Sequence, residues 1–313
     1  MKRGSLIILA LLFALSGCFS QAWVRPDSLW NKFLLEGRYD SALYYAEEAS
    51  AIMRGTTGEN NLQYASMLRK LATSHFCLGN YKKAKYFILK EVELWELLKK
   101  TSDQEYISCL EAASLICRKA GSYEDALVQI KKADIKALAT FAQEGPLYAE
   151  ILYYYAGVYH DMGCSVNDMV YLNMEEKYLK RAEAIYQKYG ERKVNEYITN
   201  LSDQAAWNNN VGNSPVAESI LKEVVEMCKK QYGPESASYA TALNDLAVLY
   251  FNTGDYKLSE KFFVEAADIY KKSPGAVQIQ TAVCLNNLGA LYHDIGNYKI
   301  ATTNFFSETP ASR

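Results

Sequence analysis

Seven glycines of this chain stand on one grid. Gly37, Gly79, Gly121 and Gly163 are 42 residues apart, and Gly212, Gly254 and Gly296 continue at 42 after one offset of seven. Only 17 of the 313 residues are glycine, so chance does not fill such a grid. A period of this size marks a stacked repeat array, in which each unit buries its apolar face against its neighbours.

The repeating unit reads as helical. Before the glycines, apolar residues recur at spacings of three and four: Leu243, Leu246, Ala247 and Tyr250 in one unit, then Leu285, Leu288, Gly289 and Tyr292 in the next. That spacing puts them on one helix face. Each grid glycine predicts a helix end, because glycine adopts the left-handed conformation of a C′ residue at little cost. Two residues later an aromatic recurs at Tyr39, Tyr81, Tyr123, Tyr256 and Tyr298. A small residue follows at Ala42, Ala84, Ala126, Ala217, Ser259 and Ala301, and another farther on at Ala49, Ala133, Ala182 and Ala266. Small residues at fixed places let two helices approach closely. Gly145-Pro146, Gly233-Pro234 and Pro274-Gly275 break the pattern between units. Ser214-Pro215 reads as an N-cap followed by proline at the first helical position.

The order small–tyrosine–glycine–tyrosine–alanine–aromatic resembles the tetratricopeptide repeat (TPR). The resemblance is strongest from Tyr232-Gly233-Pro234-Glu235 through Leu243 to Tyr250, and Leu285-Asn286-Asn287-Leu288-Gly289 repeats it. A period of 42 resembles the kinesin-light-chain-like subclass, here of an exported bacterial type. The likeness implies an all-α, right-handed superhelical solenoid of about seven antiparallel helix pairs over 23–308. The units fall near 23–56, 64–98, 106–142, 148–189, 197–232, 239–272 and 281–308, with 309–313 as a tail.

It also implies a concave groove, lined by the first helix of each unit, that holds a peptide or protein partner. The positions turned toward that groove are Arg69, Phe76, Glu111, Arg118, Tyr153, His160, Asn209, Asn244, Phe251, Asn286 and His293. Asn244 and Asn286 would form a ladder able to donate to and accept from a peptide backbone. The arrangement of a carboxylate-clamp TPR is not reproduced.

Several places depart from the pattern. The fourth unit carries seven extra residues around Cys164 to Asn173. Asp168, Met169, Val170, Tyr171 and Leu172 there read as an apolar loop, projecting for contact or folded back on its unit. The fifth unit has Asn208 and Ser214 where tyrosine is usual, and Glu91 and Glu308 occupy small-residue positions. These substitutions are expected to weaken local packing.

The first 22 residues read as a signal peptide. Lys2 and Arg3 precede a ten-residue apolar run, Leu6 to Leu15, too short for a spanning helix. Two cleavage sites stay open. Leu15-Ser16-Gly17-Cys18 resembles a lipobox that would make Cys18 the lipidation site, and Ser20-Gln21-Ala22 is a small-x-small site. The expected location is the bacterial periplasm or cell envelope, with any membrane contact made through a lipid at Cys18.

Catalysis, metal and cofactor are not expected. The three histidines, His75, His160 and His293, belong to separate repeats, and no phosphate loop or nucleophile elbow occurs. The remaining cysteines, Cys77, Cys109, Cys117, Cys164, Cys228 and Cys284, form no ligand spacing and read as structural thiols. A formal net charge of −2 argues against a nucleic-acid footprint. Little chain follows Gly296, and Phe305 and Phe306 lie near the end. This suggests self-association through an open array end. The other reading is the sensing region of a longer protein with a CHAT protease-like or signalling domain.

Overall fold

The computed structural model describes residues 24–101, 104–140, 145–272 and 278–296. These form thirteen α-helices: α1 (Val24–Leu35), α2 (Tyr39–Thr56), α3 (Leu62–Cys77), α4 (Tyr81–Leu97), α5 (Gln104–Lys119), α6 (Tyr123–Thr140), α7 (Pro146–Val166), α8 (Met169–Tyr189), α9 (Val194–Asn210), α10 (Ser214–Tyr232), α11 (Ala237–Asn252), α12 (Tyr256–Lys272) and α13 (Gln278–Asp294). A 3-10 turn, Gly190–Lys193, joins α8 to α9. No strand occurs among the described residues. The signal segment with Cys18, and Tyr298, Ala301, Phe305, Phe306 and Glu308, lie outside them.

The chain divides into two compact units at Tyr171–Leu172, inside α8. In the first, α1 through α6 each pack on the next helix in sequence, and α5 also packs on α7. In the second, α9 through α13 pack in the same way, with α9 against α11 and α11 against α13. Skipping one helix brings first helices side by side, α5 with α7 in the first unit and α9 with α11 and α11 with α13 in the second.

The small-residue grid marks where paired helices touch. Ala42, Ala84, Ala126, Ala217 and Ser259 are fully buried, as are Ala49, Ala133, Ala182 and Ala266. A β-carbon or hydroxymethyl is all the space admits, and the Ser259 hydroxyl donates to Ala247 O at 2.9 Å. Larger side chains fill the layers between: Ile88, Leu110, Tyr106 and Ile151 in the first unit, Phe263, Leu243 and Val224 in the second.

The turns follow from the glycines. At Gly79 (φ +73) the Gly79 N–H donates to Phe76 O at 2.9 Å and the Asn80 N–H to His75 O at 2.8 Å. This is the Schellman pairing that satisfies the last carbonyls of α3. Gly37, Gly121, Gly212, Gly254 and Gly296 share its positive φ.

Gly163 breaks the rule. It is buried inside α7, which runs on to Val166, and Asn167 takes the left-handed conformation instead (φ 51). Its neighbour's Asp168 Oδ1 accepts from Val170 N at 2.8 Å and starts α8. The seven extra residues are therefore helix, not a projecting loop. Seven residues are close to two turns at 3.6 per turn, and they lengthen α7 and α8 to 21 residues each. Met169, Val170 and Tyr171 lie in the first turn of α8, where Tyr171 stacks on Tyr159 at 6.3 Å. Ser214 is likewise corrected: it is the first residue of α10, and Asn213 precedes it as the cap position.

Candidate functional site

In the first unit the sequence-predicted residues gather into a charged cluster on α3, α5 and α7. Arg69 (α3) forks onto Glu91 (α4), with Nε to Oε2 at 2.7 Å and a terminal nitrogen to Oε1 at 3.0 Å. The Trp95 indole N–H adds a third bond to Glu91 at 3.3 Å. Glu91, at a position where the repeat wants a small residue, is thus a buried anion with its own bidentate cation. Arg69 is spent on that pair.

Glu111 (α5) is 6 % exposed, and its Oε1 has no hydrogen-bond partner. Burial, reinforced by the charge of Glu150 (α7) and opposed by Arg69, pushes its carboxyl up to about 8. The same cluster pushes the Tyr154 phenol up to about 12, by burial first and then by Glu111 and Glu150.

Arg118 (α5) crosses the backbone of α7 at Gly157, where a β-carbon would stand 1.5 Å from a guanidinium nitrogen. It reaches Asp161, Nε to Oδ2 at 3.0 Å. The N–H is not aimed at the carboxylate, so this is an ion pair without a hydrogen bond. Phe76 packs edge-on to Tyr81 at 5.4 Å, and Tyr153 edge-on to Tyr154 at 6.4 Å. His160 Nε2 lies 3.7 Å from the sulfur of Cys164, which is exposed. This face is largely occupied by its own salt links.

The second unit carries clefts on its first helices. Two clefts adjoin on the layer of first helices. One, about 440 Å³, is lined by Asn195, Ile198, Thr199 and Ser202 of α9, Val224, Cys228 and Tyr232 of α10, and Ser238, Thr241, Ala242 and Asp245 around α11. The other, about 420 Å³, takes Ser202, Asp203, Ala205, Ala206, Asn209 and Asn210 of α9, Leu221 of α10, and Asp245, Val248, Leu249 and Asn252 of α11. Asp245 and Ser202 belong to both. Burial pushes the Asp245 carboxyl up to about 6, with the charge of Asp203 adding and a hydrogen bond from Asn244 opposing. No lysine or arginine lines either cleft.

Asn209 lines the second cleft. Asn244 lies beneath the surface, 9 % exposed; it donates to Asp245 at 3.4 Å and accepts from Asn287 at 3.3 Å. Asn286 is exposed. Phe251 is half-buried against Tyr256 at 6.0 Å, and His293 is exposed beside Asp294 at 3.2 Å. Asp203, Asp245 and Asn252 did not stand out in sequence. The signal was there: the pairs 203/245 and 210/252 repeat at 42, one residue beyond the anticipated stripe at 244 and 286. Among the described residues, no cluster of three or more ligating side chains could hold a metal. The six cysteines beyond residue 24 are free thiols, four of them buried. No helix there is long and apolar enough to cross a membrane.

A family model, the tetratricopeptide repeat, matches residues 33–96, 196–272 and 238–305, more than half of the chain. No curated protein matches the chain in sequence. Similar solved structures include BtubC (BKLC) from P. vanneervenii, with 18 % identity, TM-score 0.59, 72 % of this chain and 87 % of that one covered. A Rap protein complexed with competence and sporulation factor is similar at 18 % identity and TM-score 0.56, over 91 % of this chain and 74 % of that one. The apo quorum sensor NprR from B. thuringiensis is similar at 14 % identity and TM-score 0.63, over 95 % and 82 %. At these identities the likeness is one of fold.

Proposed function

We propose a peptide- or protein-binding role without catalysis, from the premise that this chain belongs to the tetratricopeptide repeat family. The observation that carries the reading is the pair of adjoining clefts on the first-helix layer of the second unit. Hydroxyl and amide side chains line them beside apolar ones, a mixture suited to an extended backbone that needs both donors and acceptors. The similar Rap structure, complexed with competence and sporulation factor, is in line with a ligand-binding use of such a fold. Within the family, the 42-residue period favours the kinesin-light-chain-like subclass.

Hydrogen exchange tests the site. With a binding peptide selected from a displayed library, protection is expected over 195–210 and 237–252, whose residues line both clefts. Protection confined to α10 and α12 would refute the groove. The basic start, the apolar run Leu6–Leu15 and the lipobox-like Leu15-Ser16-Gly17-Cys18 support an exported protein, carried on a lipid at Cys18 or released. Fractionation and mature mass of a Cys18→Ser variant distinguish the two. An unchanged membrane fraction and mass would remove the lipid.

A further inference from the structure

The outer face of α6 departs from the other second helices. Val128, Ile135 and Leu138 stand there 48, 67 and 40 % exposed. Lys131, also exposed, lies between the first two. The opposite face, with Ala126, Ile130, Ala133 and Ala137, is buried, so the exposed stripe is the side turned away from the core. Steps of three, four and three residues are those of a coiled-coil seam, here about 15 Å long. The repeat supplies its own control. In register with Ala133, the places of Ile135 and Leu138 are held by Glu93 and Glu96 in α4, Glu226 and Lys229 in α10, and Asp268 and Lys271 in α12. In α2 and α8 they are Ala51 with Arg54 and Ala184 with Gln187. Among the described second helices, α6 alone has large apolar residues at both places.

We propose that this stripe docks an amphipathic helix of a partner protein, one whose apolar seam is flanked by glutamates or aspartates. Single exposed apolar residues need no explanation, but three in register on one face mark a contact surface. The spacing selects a helix, because a seam of period 3.5 is matched along its length by another helix. The charge selects an acidic one. From Leu127 to Thr140, α6 carries Lys131, Lys132 and Lys136 in or beside the stripe. The one carboxylate in that span, Asp134, is engaged by the Tyr155 hydroxyl of α7 at 3.2 Å. Lys132 reaches Glu96 of α4 at 2.8 Å, but both groups are exposed, and such a pair is worth little where it stands.

A second copy of this chain fits the stripe badly, since pairing it with itself sets lysine against lysine. The stripe lies on a second helix of the first unit, and the clefts lie on first helices of the second unit. This contact is therefore independent of the peptide groove, and the two stand or fall separately. Covering Ile135 and Leu138 removes their exposed surface from water, each change being worth about tenfold in affinity. The lysines add partner choice more than strength, as charges at the edge of a helix seam do.

The test is fluorescence anisotropy of the whole chain with labelled peptides of about three heptads, long enough to form a helix over the stripe. Both peptides carry leucine at a and d; one has glutamate at e and g, the other lysine. The acidic peptide is expected to bind at least about tenfold tighter than the basic one, the scale of a charge-assisted contact. Ile135→Glu with Leu138→Lys installs the residues that α10 carries at those places, so the helix should persist by circular dichroism. Binding of the acidic peptide should then fall by at least about tenfold. Lys131→Glu, a change at an exposed position, should narrow the preference for the acidic peptide. Equal binding of the two peptides would overturn the acidic partner. Binding that survives the double substitution, or no binding to the folded protein, would overturn the docking surface. Binding of phosphatidylglycerol–phosphatidylcholine vesicles in place of the peptides, lost in the double variant, would put a lipid surface there and overturn the helix. Dimerisation of the protein alone in sedimentation, lost in the same variant, would put a second copy there and overturn it equally.

Discussion

Glu111 offers a measurement that isolates one buried group. Replacing it by glutamine keeps the shape and removes the charge. The native carboxyl is pushed from its ordinary 4.5 to about 8, first by burial and then by Glu150, against Arg69. The folded state therefore holds this proton more tightly than the unfolded chain does. Stability from the protonated form is complete below about 4.5 and is lost as the pH rises toward about 8.

At ~1.4 kcal/mol per pH unit, the full displacement is worth ~5 kcal/mol. Relaxation and water entry on ionisation reduce such penalties to several kcal/mol. Glu111→Gln should thus match the parent at about pH 4.5 and exceed it by ~2–5 kcal/mol at about pH 8.5. Repeat arrays lose all-or-none unfolding, so the reading belongs to a local probe. Native-state hydrogen exchange of the α5 amides across that pH range supplies it. A stability difference that does not change with pH, or a variant less protected at the alkaline end, would refute the reasoning.

Two further predictions concern stability. Glu91→Ala leaves the Arg69 guanidinium without its bidentate partner and opens space under Trp95, so it should destabilise α3 and α4 by about 3–5 kcal/mol in native-state hydrogen exchange of their amides. The joint change Arg69→Met with Glu91→Leu should recover most of that loss. Gly79→Ala meets nothing within 4 Å, so its cost is backbone strain alone at φ +73. The expected loss is about 1–2 kcal/mol, read as a lowered thermal midpoint, and no loss at all would contradict the left-handed cap.

The local features were legible in the sequence and the pairings were not. Six grid glycines end their helices as their spacing predicted, because a positive φ is a property of the residue and its immediate neighbours. Gly163 keeps the spacing but not the role, since the added two turns let α7 continue past it to Asn167. Glu91 read as a packing flaw, for its partner lies 22 residues away on another helix. In the second unit Asn209 lines a cleft, whereas Asn244 does not and its neighbour Asp245 does. One residue is about 100° around a helix, enough to carry Asn244 under the surface and bring Asp245 into the clefts.

What the sequence by itself determined is the architecture: a 42-residue period, most helix ends marked by glycine, and small residues at most close crossings. These are set by local backbone energetics and by the small volume that a helix crossing leaves. What only the tertiary structure decided is which polar residues neutralise one another and which line open space. Arg69 and Glu111 were both on the anticipated face, yet one is consumed by Glu91 and the other is buried beside Glu150. Asp203 and Asp245 line one cleft because neighbouring helices bring residues 42 apart in sequence side by side. The rotation of each helix about its axis follows from how its side chains fit the adjoining helices, and that fit is not written in any single repeat.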